Sequence, residues 1–201
     1  DSRYFTSMSY FEQDGVAERS NLQRFTLRGN FENKLSEKSK FGVNTSLGFS
    51  KSNFISSENG IALQNPFAAA YLAQPYQTLR DEDGFLITGP GFVGGNSYEE
   101  LLVNGNNNQQ VKIIAQGFFE TGVMKNITFR TDLGIDYSQD NFIDFSDPDT
   151  YYGGIVTPGN EGDYGESNNY NSRITATNKL QWSNVYDDVH SIDVSLFTEY
   201  Y

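Results

Sequence analysis

The chain has 201 residues, with 14 basic and 26 acidic side chains, so its net charge is −12. A balance that acidic excludes a nucleic-acid binder, which needs a basic face to neutralise phosphates. Cysteine is absent and His190 is the sole histidine, which removes disulfides, thiolate metal sites and His-rich zinc sites. No apolar run approaches the roughly 20 residues of a membrane-spanning helix. Phe (16), Tyr (13) and Gly (19) are nevertheless abundant in a chain only 37% hydrophobic, a mixture that suits alternating strands.

In chain order, Arg3–Gln13 is the first strand, with Tyr4, Met8 and Tyr10 on one face and Phe5 and Phe11 on the other. Leu22–Asn33 sets Phe25, Leu27, Gly29 and Phe31 against Arg24, Thr26, Arg28, Asn30 and Glu32. Phe41–Ser50 alternates cleanly from Phe41 to Phe49. A long link follows, Phe54–Gln110. Within it Asn65 to Leu79 reads as a short helix, with Asn65 as its cap, Pro66 in its first turn and Pro75 ending or bending it. Asp81-Glu82-Asp83-Gly84 reads as an acidic turn closed by glycine, since the spacing is not that of a calcium loop.

Val111–Val123 groups Val111, Ile113, Ala115, Phe119 and Val123, with Ile114 and Phe118 opposite. Ile127–Ser138 is the clearest strand: Ile127, Phe129, Leu133, Ile135 and Tyr137 oppose Thr128, Arg130, Asp132, Asp136 and Ser138. A second long link, Phe142–Asn171, has six acidic residues and no Lys or Arg. Asp144, Asp147 and Asp149 make calcium conceivable there, but no metal site or other cofactor is assigned. Tyr151, Tyr152 and Tyr164 with Asp149 are the substrate-contact candidates, because ring faces stack on sugars and carboxylates accept from hydroxyls. Arg173–Trp182 and His190–Tyr201 complete about seven strands, most of 10 to 13 residues.

Lys34–Lys40, Met124–Asn126 and Asn184–Val189 are short links and fall at one end of an up-and-down sheet. Asp14–Asn21 and the two long links fall at the other. Long strands with short turns at one end and long loops at the other are the signature of an outer-membrane barrel. The expected class is therefore all-β, an antiparallel up-and-down transmembrane β-barrel segment. Arg24, Arg28, Arg130, Asp132 and Arg173 fall on the polar side and are the lumen-facing candidates. Tyr10, Phe49, Tyr137, Trp182 and Tyr200 suit interfacial girdles. Seven strands cannot close such a barrel, so the chain reads as an interior piece of a longer protein. No nucleophile–base pair or metal constellation is evident, so the chain is not read as an enzyme.

Tyr10-Phe11-Glu12-Gln13-Asp14-Gly15, followed by Arg24, Arg28 and Asn30, resembles the barrel of SusC/RagA-type TonB-dependent outer-membrane transporters of Bacteroidetes. There a Y-F-x-Q-x-G strand end leads into an R-x-x-x-R-x-N strand. Lys40-Phe41-Gly42-Val43-Asn44 is similar to the family's next strand, and Asn65-Pro66, Ala68–Ala70, Pro75 and Asp83-Gly84 to its extracellular segment. The resemblance implies that residues 1–201 are part of one 22-stranded barrel, with 54–110 and 142–171 as extracellular loops. It further implies a SusD-like surface lipoprotein as partner, TonB–ExbB–ExbD acting through a plug region absent from this sequence, and outer-membrane lipid around the wall. The implied role is import of glycans or peptides across the outer membrane. The alternative is a secreted all-β module or adhesin that holds a glycan or a protein.

Overall fold

The computed structural model describes residues 1–55, 63, 65–88, 95–155 and 159–201. Seven strands form one sheet: β1 (Ser2–Asp14), β2 (Asn21–Lys34), β3 (Ser39–Phe54), β4 (Gly105–Met124), β5 (Ile127–Ser146), β6 (Asp163–Tyr186) and β7 (His190–Tyr200). Their spatial order is their chain order and each neighbouring pair is antiparallel. The sheet is a meander that does not close, and β1 and β7 are its edges. Among the described residues, two short helices, α1 (Pro66–Leu72) and α2 (Ser97–Leu102), lie in the connection between β3 and β4.

Residues paired across a sheet share a face, so the registers show whether the alternation adds up. It does. Met8 pairs with Leu27, Leu27 with Leu47, Leu47 with Ile113, and Ile113 with Tyr137. One row lower, Gly29, Thr45, Ala115, Ile135 and Ile174 are aligned; below them come Phe31, Val43, Gly117, Leu133 and Ala176. A single apolar face thus crosses all seven strands. From Ile127 to Tyr137, at the tilt usual for such strands, it stands about 25 Å tall.

Among the described residues this face covers no core. Met8 is 72% exposed, Leu133 58% and Leu196 67%, while the largest fully buried side chains are the polar Glu99, Asn96, Asn104 and Thr150. In a soluble sandwich the apolar face would be the buried one.

The three short links bend as their residues permit. Tyr186 to Val189 is a β-turn closed by the Val189 N–H on the Tyr186 carbonyl, with Asp187 and Asp188 at φ 50° and 55°. Two left-handed central residues give the twist that a tight hairpin needs, and Asp tolerates that region. Lys125 and Asn126 link β4 to β5, with Asn126 at φ 65°.

Four features differ from the sequence reading. The connections are shorter than 54–110 and 142–171, because β4 starts at Gly105, β5 runs to Ser146 and β6 starts at Asp163. Backbone pairing carries these ends, which are polar and Asn-rich on β4 and β6. A bulge between Gly122 and Met124 makes Met124, not Val123, the partner of Ile127. Tyr200 pairs with Ala176, which pairs with Leu133, so it stands at mid-height and is no girdle residue. The helix predicted over 65–79 stops at Leu72, before Pro75.

Candidate functional site

On the opposite face the registers align polar side chains. Arg28 pairs with Ser46, and Asp136 pairs with Ile114 and with Arg173. Arg24 lies in line with Ser50, Gln110 and Asp140. All five arginine and aspartate candidates, Arg24, Arg28, Arg130, Asp132 and Arg173, therefore lie on this face.

Only two of them meet. Arg130 donates to Asp132 through Nε at 2.8 Å and Nη2 at 2.7 Å, and through Nη1 to Glu120 at 3.3 Å. Its guanidinium also lies 4.2 Å from the centroid of Phe118. Lys40 Nζ is 3.2 Å from Glu120, and Gln116 donates to Asp132 at 3.4 Å. Phe118, which breaks the alternation of β4, is thus the platform on which this charge cluster rests. Gly42 on the next strand makes its room: a Cβ there would collide with the ring. Lys112 pairs with Asp136 at 3.2 Å. Arg24, Arg28 and Arg173 take part in no ion pair among the described residues.

At the long-loop end the two long connections are locked together. Asn96 caps α2 by accepting from the Tyr98 N–H at 2.9 Å, and its amide donates to the carbonyls of Leu79 and Ile87 at 3.2 and 3.0 Å. Glu99, with no exposed surface, accepts from the Tyr151 N–H of the other connection at 2.8 Å. Asn104 accepts from the Asp147 N–H at 2.7 Å and donates to Thr150 Oγ1 at 3.4 Å.

Tyr151–Ile155 is a single π-helical turn, tight enough that a Cβ on Gly153 or Gly154 would strike the carbonyl of Asp147 or Pro148. Tyr151 and Tyr152 meet edge to face at 5.1 Å, over Gly95, whose φ of 88° and closeness to both rings admit no side chain. A groove of about 480 Å³ separates Val16 and Ala17, in the first link, from α1 and α2.

The four substrate-contact candidates divide. Tyr151 and Tyr152 lie in the π-turn and Asp149 in the turn just before it, with the Asp149 N–H bonded to the Asp147 carboxylate at 2.9 Å. Tyr164 is not in that loop: it is on β6, paired with Phe145, and faces outward with the apolar band. Its hydroxyl donates to Glu166 at 3.1 Å. Glu99, Asn96, Asn104 and Thr150 escaped the sequence reading. One signal was present, since Asn96 followed three residues later by Glu99 is the spacing of a capping box. The acidic turn has the expected form, with the Asp81 carboxylate accepting from the N–H groups of Asp83 and Phe85 at 3.1 and 2.8 Å.

Two carboxylates of the strand tips are shifted in opposite directions. Burial, with Asp163 nearby, raises Asp144; bonds from Asn141, Tyr164 and Asn168 lower Glu166. A raised carboxyl pKa makes the ionised form costly in the fold, and the cost disappears as pH falls below the ordinary value. A lowered one contributes stability above the ordinary value and loses it as pH falls through the folded value. Asp144→Asn should therefore raise the hydrogen-exchange protection of residues 142–146 and 163–167 at pH 7. That gain should fade towards pH 3. No difference at pH 7 would refute the assignment.

No protein-family model matches the chain. Two curated relatives, both from Formosa agariphila, are similar over part of it. TonB-dependent receptor P26 is 30% identical over 81 residues, 40% of this chain and 7% of its own length. TonB-dependent receptor P3 is 33% identical over 86 residues, 41% of this chain and 9% of its own length. Among solved structures, the RagAB peptide transporter aligns with 98% of this chain and 22% of its own, at a TM-score of 0.78 and 20% identity. The RagAB peptide importer in its open-open state gives the same coverage at 0.76 and 20% identity. The chain spans less than a tenth of the curated relatives' length and about a fifth of the structural neighbours'. Over about two fifths of its length the chain is similar to proteins named TonB-dependent receptors, and its seven-stranded antiparallel sheet has the fold of a barrel segment of the RagAB transporter.

Proposed function

We propose that this chain forms part of the wall of an outer-membrane transporter that imports peptides or oligosaccharides. The observation that carries the reading is the bare apolar face of membrane height, backed across the same seven strands by a charged face. In hydrocarbon the first would meet lipid, and the second, with Arg24, Arg28, Arg130, Asp132 and Arg173, would line a wet lumen. Asp149, Tyr151 and Tyr152 then stand at the extracellular mouth as substrate contacts, on a loop whose shape the connection between β3 and β4 fixes. Tyr164, facing outward, drops out of that set. Capture at the mouth precedes passage through a lumen that a plug opens under TonB–ExbB–ExbD. A SusD-like lipoprotein over the loops is the partner that the family resemblance supplies. The role is transport and not catalysis, and the wall is multi-pass.

Fractionation of native membranes with intact-mass measurement tests the reading. At the neighbours' proportion of 22% the parent protein should be roughly four to five times the 22.6 kDa of this chain. It should be found in the outer membrane. A soluble species of about 22.6 kDa would overturn the barrel and leave the secreted binding module.

A further inference from the structure

Towards the long-loop end the outward face passes from a mostly aromatic row to a wholly polar one. The first row runs Tyr10, Phe25, Phe49, Val111, Gln139 and Tyr170, and two residues further along each strand lie Glu12, Gln23, Lys51, Gln109, Asn141 and Asn168. The row after that sets Asn21, Asn53, Asn107 and Ile143 between Asp14 and Glu166, and Phe145 and Tyr164 follow it on β5 and β6. By parity these side chains face where Leu27 and Leu47 face, away from the charged face.

The rows are cross-linked. Gln23 donates to Glu12 at 2.9 Å, Asn53 to Asn21 at 3.0 Å, and Asn141 to Glu166 and Asn168 at 2.8 and 3.0 Å. Tyr10, in the mostly aromatic row, donates its hydroxyl up to Glu12 at 3.0 Å. Lys51 is the one cation in these two rows, against Glu12, Asp14 and Glu166.

We propose that this belt selects the lipid beside it, holding the uncharged sugar headgroup of a glycolipid in the leaflet at the long-loop end. Carboxamides offer a donor and an acceptor to each hydroxyl they meet. Phosphate headgroups are recognised by clustered Arg and Lys, which the belt lacks, and its three carboxylates repel them. The proposal rests on the barrel reading above.

The test uses the full-length protein, purified from outer membranes in lauryldimethylamine oxide, a detergent without sugar. Equal amounts of digalactosyldiacylglycerol and phosphatidylglycerol are added, and bound lipid is counted by native mass spectrometry. The wild type should retain the galactolipid about tenfold over phosphatidylglycerol. Gln109→Leu with Asn168→Leu should cut that ratio at least threefold. Gln109→Lys with Asn168→Lys should move it towards phosphatidylglycerol, a direction that misfolding does not produce. An unchanged ratio in both double variants, or a wild type that prefers phosphatidylglycerol, overturns the proposal while the barrel stands. Recovery of the protein from the soluble fraction overturns the barrel itself.

Discussion

Leu133→Arg should abolish assembly of the barrel, while Asp132→Asn, one residue away, should leave assembly intact. Leu133 pairs with Gly117 and Ala176 in the middle rows of the apolar band and is 58% exposed. An arginine there would present its charge to hydrocarbon at mid-depth, at a cost of about 2–4 kcal/mol. Its neighbours across the strands are a glycine and an alanine, which offer it no counter-charge. Asp132 lies on the other face, held by Arg130 and Gln116. Asparagine keeps an acceptor for the guanidinium, and Glu120 still balances it, so the change should cost about 1 kcal/mol or less. Heat-modifiable mobility of the full-length protein in outer-membrane fractions distinguishes the two. Equal tolerance of both substitutions would mean that the faces are assigned wrongly.

Their opposite fates follow from a period of two, and this is why the sheet was legible in the sequence. Ile127 to Ser138 alternates with Thr131 as the one polar residue on its apolar side, and a strand that alternates has only two sides to offer. Even the exceptions have local causes. Phe118 faces the charges because it carries Arg130, and Val123 is displaced by a bulge. Strand ends were less legible. Asn106 to Asn108 and Asn168 to Asn169 read as loop, yet they pair through backbone groups whose bonding is indifferent to side chains. The locked loops were least legible of all. Glu99 and Tyr151 are far apart in sequence, and their bond uses a backbone N–H that no composition or spacing marks.

Glu99→Ala should unlock both long connections at once and leave the strands in place. The carboxylate is buried without exposed surface and accepts from the Tyr151 N–H, so removing it takes away the acceptor of a part-buried donor. Loss of such a bond costs about 1–3 kcal/mol, and the vacated volume adds to the loss. Because the cost falls on loops and not on the sheet, it should appear as local opening. Amide exchange at Tyr151–Gly154 and across α2 should rise together, roughly ten- to hundredfold, with β4, β5 and β6 unchanged in their apolar rows. Asn104 and Asn96 bound the effect, since their bonds to Asp147, Thr150, Leu79 and Ile87 persist and keep the loops from melting entirely. Glu99→Gln retains a carbonyl acceptor at the same place and should lose much less protection than the alanine variant. A rise confined to residues 147–155 would mean that α2 is held independently. The Tyr151–Tyr152 pair would then owe its position to Gly95 and its own turn alone.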